Sequence, residues 1–286
     1  MKKISRRSFL AAAAVSVAAV ALTACGGSAS SAASSSAASS SAASSSAASS
    51  EAASSSAAAE LTTVESGKLT MATNATFPPY EMTTDAGTIE GIDIDTAQAI
   101  ADKLGLELQV DNMEFDSSLL SVQQGKADIV MAGVTVTPER QNVMDFSDSY
   151  ATGIQSVIVT NDSEIATLED LSGHLIGTQR GTTGYLYCTD DFGEDSVIAY
   201  DSGLTAVQAL NNGQVDCVVI DDAPAQAYVA ANPGLKVLDT SYAVEEYAIG
   251  IAKGNTALLD AVNAALAELA EEGTLQAIVD KYITAE

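Results

Sequence analysis

The chain has 286 residues, with 38 acidic against 12 basic side chains and a formal net charge of −26, and four of those bases fall within the first seven positions. So acidic a surface repels nucleic acid and anionic lipid, which excludes both as partners. The single histidine, His174, and three scattered cysteines leave no histidine-pair or paired-cysteine metal motif, and no phosphate-cradling lysine loop is present.

Lys2, Lys3, Arg6 and Arg7 form a cationic head, followed by an Ala/Val/Leu run over 9–24 that ends in Leu22-Thr23-Ala24-Cys25. This order of charge, apolar run and small residues is that of a secretory signal. A run of about fifteen residues falls short of the roughly twenty that span a bilayer. The segment before Cys25 resembles the lipobox of bacterial lipoproteins, which implies removal of the leader in residues 1–25, acylation of Cys25, and anchoring to the outer face of the cytoplasmic membrane. Ser5-Arg6-Arg7-Ser8-Phe9-Leu10 also resembles a twin-arginine signal, so Sec and twin-arginine export both stay open. Residues 26–60 are almost wholly Ser and Ala, with Ser-Ser-Ser-Ala-Ala recurring every five residues. That period matches neither helix nor strand, so no apolar face forms and the stretch is a tether, with a mean span of roughly 35 Å.

Residues 61–286 are enough for one large or two small domains with a real core. A strand is expected over 68–74 and a helix over 93–104, with Ile94, Ala97, Ala101 and Leu104 on one face and Gly105 as its stop. A strand over 106–110, a helix over 117–124 ending at Gly125, and a strand over 128–132 follow. The order then repeats as a strand over 174–178, a helix from 182, a strand over 197–200, a helix over 204–210 and a strand over 216–220. In both passes a glycine ends the helix and an aspartate follows three residues on, Gly125 with Asp128 and Gly213 with Asp216. The pattern predicts an α/β protein of two similar lobes built from parallel βαβ units.

A further strand over 247–252, an amphipathic helix with Leu259, Val262, Leu266 and Leu269 in one stripe, and a helix over 275–282 end the chain. These need the first lobe as partner surface, so the chain crosses at 150–155 and returns at 244–248, and two crossing strands make a hinge. Residues 66–152 and 248–286 are assigned to lobe 1 and 153–247 to lobe 2.

In open α/β sheets ligands bind beyond the carboxyl ends of strands. Those ends fall at 74–80, 133–140, 179–183 and 221–222, which hold Arg140 and Arg180, an acidic pair, aromatics and hydroxyl- and glycine-rich backbone. Arg140 suits a carboxylate gripped by two parallel hydrogen bonds, and Asp221 on the facing lobe suits an ammonium, so the set fits a small zwitterion. Arg180 is placed on the exposed surface, with a cleft role beside an acidic ligand side chain as the alternative. Cys188 and Cys217 are read as buried thiols, with a bridge as the alternative. His174 is read as a loop residue, and Asp190, Asp191, Glu194 and Asp195 lack the alternating order of a calcium loop. No metal or cofactor is expected.

Asn74-Ala75-Thr76-Phe77-Pro78-Pro79-Tyr80-Glu81, Gly91-Ile92-Asp93-Ile94-Asp95, Ala132-Gly133-Val134-Thr135-Val136-Thr137-Pro138-Glu139-Arg140, Asp145-Phe146-Ser147-Asp148 and Gly181-Thr182-Thr183-Gly184 stand in order along the chain. Together they resemble the family-3 solute-binding proteins of amino-acid ABC importers, over 67–283. The resemblance implies the two-lobe periplasmic-binding-protein type 2 fold, capture by hinge closure without catalysis, a monomer, and ABC permease subunits as membrane partners. It implies that Arg140 takes the ligand α-carboxylate, helped by backbone N–H groups near Thr135 and Thr183. The Gly133 carbonyl, the Thr135 hydroxyl and an aspartate of lobe 2 take the α-ammonium, with Asp221 favoured over Asp222. Phe77, Tyr80 and Phe115 match positions that sandwich the ligand side chain, and Ala132 and Thr182 complete the expected lining. Asn74 and Gln179 stand where some glutamine-binding relatives carry Asp and Lys, which argues against glutamine. The Phe-Pro-Pro-Tyr and Gly-Thr-Thr-Gly segments point to cystine or another polar amino acid. An amino-acid sensor module and a dehydratase-like enzyme on the same scaffold are the alternative readings.

Overall fold

The protein is described by a computed structural model over residues 61–283. The expected signal, the lipidation site Cys25 and the Ser/Ala tether lie outside the described residues. The first half opens with β1 (Lys68–Thr73), a small sheet of β2 (Thr76–Phe77), β3 (Glu81–Thr83) and β4 (Ile89–Glu90), then α1 (Ile92–Leu104) and β5 (Glu107–Asn112). It continues through α2 (Phe115–Gln123), β6 (Ile129–Val130), α3 (Pro138–Gln141) and the long strand β7 (Met144–Thr160). The second half adds β8 (Ile176–Gln179), α4 (Thr183–Phe192), β9 (Val197–Tyr200), α5 (Gly203–Asn211), β10 (Cys217–Asp221), α6 (Asp222–Ala231) and β11 (Leu235–Val237). The chain returns through β12 (Ala243–Ala252) to α7 (Thr256–Glu271) and α8 (Thr274–Tyr282).

One mixed sheet runs β5-β1-β6-β12-β7-β10-β8-β9, with β11 also paired to β7. In the first half β5 and β6 pair parallel with β1, and in the second β9 and β10 pair parallel with β8, as the alternation of strand and helix predicts. The two halves join through β7 and β12, which pair antiparallel from Ala243 opposite Gln155 to Ala252 opposite Met144. Asp145 and Ser147 fix one end of this ribbon: the Asp145 carboxylate accepts from the Gly254 N–H at 2.7 Å, and the Ser147 hydroxyl accepts from the Ile249 N–H at 2.9 Å.

The first-half core is a face of α1 (Ile94, Ala97, Ile100, Ala101) packed on Leu69 and Met71 of β1 and on Leu258, Val262, Leu266 and Leu269 of α7. Each such buried aliphatic side chain contributes about 1.5 to 3 kcal/mol. Acidic Asp93 and Asp95 in the first turn of α1 and Lys103 in its last complement the helix dipole, and Gly105 ends it in the left-handed conformation. In the second half, α5 and α6 cover one face of β10, where Val207, Leu210 and Tyr228 meet Val218 and Ile220. Cys188 and Cys217 are buried as thiols on the other face, in one cluster with Val157, Ile176 and Val219.

The repeated glycine-then-aspartate step has a physical cause. The Asp128 carboxylate accepts from the N–H groups of Thr70 and Val64, each at 2.7 Å, and the Asp216 carboxylate accepts from the Leu175 N–H at 2.8 Å. In each half the aspartate thus ties the chain after a helix to the neighbouring strand's entry.

Three elements depart from the sequence expectation. The strand expected over 128–132 is only Ile129–Val130, because Asp128 is spent as this clamp and the chain from Val134 turns to bond β12, with the Ala248 N–H on the Val134 carbonyl at 3.1 Å. β7 is continuous over Met144–Thr160 although its polar residues break any simple alternation, since its faces meet different surroundings in the two halves. The helix α6 contains Pro224, which is tolerated because it falls in the first turn, where no intrahelical N–H bond is lost.

Gly91 stands directly before α1 at φ 142°, and a Cβ there would lie 2.1 Å from the Tyr80 carbonyl oxygen. Gly105 also has positive φ, 69°, but faces open space. Gly91→Ala is therefore expected to lower stability by about 2 to 4 kcal/mol and Gly105→Ala by about 1 kcal/mol. Urea denaturation of the two variants checks the order, and equal losses would contradict the packing at Gly91.

Candidate functional site

A narrow cleft, with about 20 Å³ of room for the centre of a water-sized sphere, opens between the two halves at the strand ends. Asn74, Phe77, Phe115, Ala132, Gly133, Thr135, Arg140, Gln179, Thr182, Thr183 and Asp221 all line it, together with Glu81. Tyr80 is the expected residue that does not reach it. Its buried ring backs Phe77 at 5.8 Å between centroids and meets Tyr247 edge-on at 5.2 Å, so it supports the cleft wall from behind.

Local structure explains how each motif delivers its residues. In Thr135-Val136-Thr137-Pro138-Glu139-Arg140, Thr137 caps α3 by accepting from the Arg140 N–H at 3.2 Å, and Pro138 occupies the first turn. That short helix aims the Arg140 side chain across the cleft. One guanidinium nitrogen donates to the Thr135 carbonyl at 2.8 Å and another to the Gly181 carbonyl of the second half at 3.2 Å. The guanidinium also lies 5.4 Å from the Phe115 ring centroid, a cation–π distance.

Gly181-Thr182-Thr183-Gly184 forms the facing turn. Gly181 has φ 74°, the left-handed conformation that favours glycine, and the Asp116 carboxylate of the first half lies where a Cβ would stand. Thr182 caps α4 through the Tyr185 N–H at 3.3 Å. Gly133, at φ 55°, lets the Phe77 ring lie against the backbone, 2.7 Å from where a Cβ would stand. Asn74 and Gln179 meet across the cleft, the Gln179 amide donating to the Asn74 side-chain oxygen at 2.9 Å. The Tyr228 hydroxyl of α6 likewise donates to the Thr76 carbonyl of β2.

Asp221 ends β10 inside the cleft and accepts from the Tyr247 hydroxyl, whereas Asp222 turns away and accepts from the Ser156 hydroxyl at 3.0 Å. Arg180 is outside: it is exposed, donates to the Ala199 carbonyl at 3.2 Å and pairs with Asp201 at 3.7 Å. His174 and Asp216 pair on the surface at 3.2 Å.

Burial governs the electrostatics. It pushes the Asp221 carboxyl up to about 7, with the nearby charge of Glu245 adding to the shift and the Tyr247 hydroxyl opposing it. Asp93, behind the wall, is pushed up to about 6 by burial, against the stabilising bonds it accepts from the Gly133 N–H at 3.1 Å and the Tyr150 hydroxyl at 2.8 Å. Glu81 is raised well above the usual carboxylate range by complete burial and then by its neighbour Asp93. Burial lowers Arg140, and Glu245, Asp221 and Asp116 work to keep it charged.

Sequence reasoning missed Glu81, Asp93 and Glu245. Glu81 sits one residue past the aromatic motif, at the start of β3, and is fully buried, its raised carboxyl sharing a hydrogen bond with Asp93. Glu245 shares a face of β12 with Tyr247, two residues on, which is the one signal that would have marked it as inward-facing.

Residues 69–285 match the family model of bacterial extracellular solute-binding proteins, family 3. Among curated proteins the chain is similar to the L-cystine-binding protein TcyJ of Escherichia coli (strain K12), 32% identical over 225 residues, covering 78% of this chain and 85% of that one. It is also similar to the ABC transporter arginine-binding protein 1 of Escherichia coli (strain K12), 34% identical over 220 residues, covering 75% and 90%. Among solved structures, an ancestral arginine-binding protein bound to glutamine superposes with a TM-score of 0.74 at 39% identity, covering 77% of this chain and 100% of that one. With the two-lobe α/β architecture and the cleft already in place, these matches establish that the chain belongs to the family-3 bacterial extracellular solute-binding proteins.

Proposed function

We propose that this protein captures an L-amino acid with a cationic side chain outside the cytoplasm and hands it to the permease subunits of an ABC importer. In this reading it acts as a monomeric carrier rather than a catalyst, held at the membrane by acylated Cys25 and the tether over 26–60. Residues 66–152 with 248–286 and residues 153–247 are the two lobes, and β7 and β12 are the hinge between them. Arg140 takes the α-carboxylate, while Asp221, the Thr135 hydroxyl and the Gly133 carbonyl take the α-ammonium. Asn74, Phe77, Phe115 and Gln179 surround the side chain.

The observation that carries the choice of ligand is Glu81, a cleft-lining carboxyl that is 0% exposed and, among the described residues, shares a hydrogen bond with the acid Asp93 and pairs with no basic side chain. Burial favours the protonated form of such a group, and a guanidinium or ammonium at the end of a ligand side chain would stabilise its ionised form. The lining supports the same choice, since two carboxyl groups, Glu81 and Asp221, face Arg140 as the one base. The curated relatives named for arginine are in keeping with it. A ligand that bridges the halves shifts an open and closed equilibrium only if it binds the closed form better, and contacts to Arg140 in one half and Asp221 in the other provide that difference.

Titration calorimetry with L-arginine, L-lysine, L-histidine, L-glutamine and L-cystine tests the class, and the basic amino acids are expected to bind tightest. L-cystine as the tightest ligand would replace this choice. Arg140→Ala is expected to weaken binding by about 2 to 5 kcal/mol, and unchanged affinity would remove Arg140 from the site. Glu81→Gln is expected to weaken L-arginine by about 1.5 to 3 kcal/mol and L-glutamine far less; equal losses would take Glu81 out of side-chain recognition.

The pH dependence has a definite sign. Asp221 near 7 and Glu81 above its usual range line the cleft and Asp93 near 6 lies behind it, and an incoming cation favours their ionised forms. Capture therefore releases protons, and affinity falls as pH is lowered from about 8 to about 5. Titrations in two buffers of different ionisation enthalpy count the protons released, and a count of zero would contradict the reading.

A further inference from the structure

Glu245 is buried on β12, opposite Gly153 of β7, and does not itself line the cleft. One of its oxygens accepts three hydrogen bonds: from the Thr183 hydroxyl at 3.0 Å, the Thr135 hydroxyl at 3.3 Å and the Gln155 amide at 2.9 Å. Its other oxygen has no partner among the described residues. Thr135 and Thr183, unlike Glu245, do line the cleft, and they come from opposite halves.

A threonine hydroxyl has one proton to donate and two lone pairs with which to accept. An ionised carboxylate only accepts, so each hydroxyl bonded to it must spend its proton there. What Thr135 and Thr183 then offer the cleft is lone pairs alone. Such oxygens attract an ammonium, which has three donors and no acceptor, and repel a carboxylate. The carboxylate end of a zwitterion is left to the guanidinium of Arg140 and main-chain N–H groups.

We propose that Glu245 is a positioning residue that fixes ligand orientation: by holding the Thr135 and Thr183 hydroxyl protons it turns both oxygens into acceptors for the ligand's α-ammonium. This rests on the reading above, in which Thr135 meets that ammonium. Glu245 acts through the threonines and across the hinge, since its partners sit on β7, on α4 and on the segment following β6.

The test uses Glu245→Gln, which keeps the shape of the side chain but gives it donors, so the two hydroxyls are no longer fixed as acceptors. Wild type is first titrated with L-arginine, L-lysine, L-histidine, L-glutamine and L-cystine, and the tightest is carried forward with its deamino analogue, 5-guanidinopentanoate in the case of L-arginine. Glu245→Gln is expected to weaken the amino acid about 10- to 100-fold and the deamino analogue no more than about 2-fold. In a Thr135→Val background the same change is expected to add less than about 2-fold, because the acceptor it acts through is gone. Equal losses for both ligands, or full additivity with Thr135→Val, would show that Glu245 only braces the hinge. Melting temperatures confirm folding, and if Glu245→Gln does not fold, Glu245→Asp replaces it, with a carboxylate too short to hold both threonines and the same selective loss expected. Wild type binding none of the five would overturn the functional reading and this one together, whereas tight wild-type binding without the selective loss overturns only the role of Glu245.

Discussion

Arg140 is the one cation among the cleft-lining residues, and Glu81, Asp93, Asp221 and Glu245 are all buried in or behind the same wall. Removing several carboxylates from water around one guanidinium leaves more negative charge than can be neutralised, and a buried charge without a partner is among the costliest states a fold can hold. The protein meets this in two ways. Asp221 and Asp93 accept hydrogen bonds from Tyr247, Tyr150 and the Gly133 backbone, and their proton affinities rise. Glu81 is relieved by a proton, which its carboxyl shares in a hydrogen bond with Asp93.

This arrangement places the chemistry of recognition on the hinge as well as on the lobes. Tyr247 and Glu245 belong to β12 and Gln155 to β7, and each bonds a group at the cleft or at its edge. Gly153 leaves room for the Tyr247 ring, since a Cβ there would lie 2.4 Å from it. The two strands that cross between the halves thus carry polar groups bonded at or beside the cleft. Gln179 with Asn74 and Tyr228 with Thr76 add direct contacts from one half to the other.

What the sequence could reveal followed the range of the interaction. Gly91, Gly133 and Gly181 were conspicuous within their motifs, and each meets a steric demand that a short segment makes visible. Thr137, Pro138 and Arg140 form a capped turn whose logic is complete within four residues. Asp221 was favoured over Asp222 through the family resemblance, and in the structure Asp221 lines the cleft whereas Asp222 bonds Ser156. By contrast Glu81, given no place by the sequence, lines the cleft where Tyr80 was expected, and Tyr80 packs on Tyr247, more than 160 residues away in sequence. Glu245 was harder to read for the same reason: its partners at 135, 155 and 183 are distant in the chain, and strand alternation with Tyr247 marks it only as inward-facing, not as their partner.

The raised proton affinity of the cleft has an outcome at a distance. Where uptake of a monovalent cationic solute expels a single proton, the loaded molecule and the vacant one bear identical total charge. Long-range attraction toward a docking surface would then be blind to cargo, and discrimination would fall to the outline the two lobes present once shut. A highly acidic exterior would serve only for encounter, leaving the decision to shape.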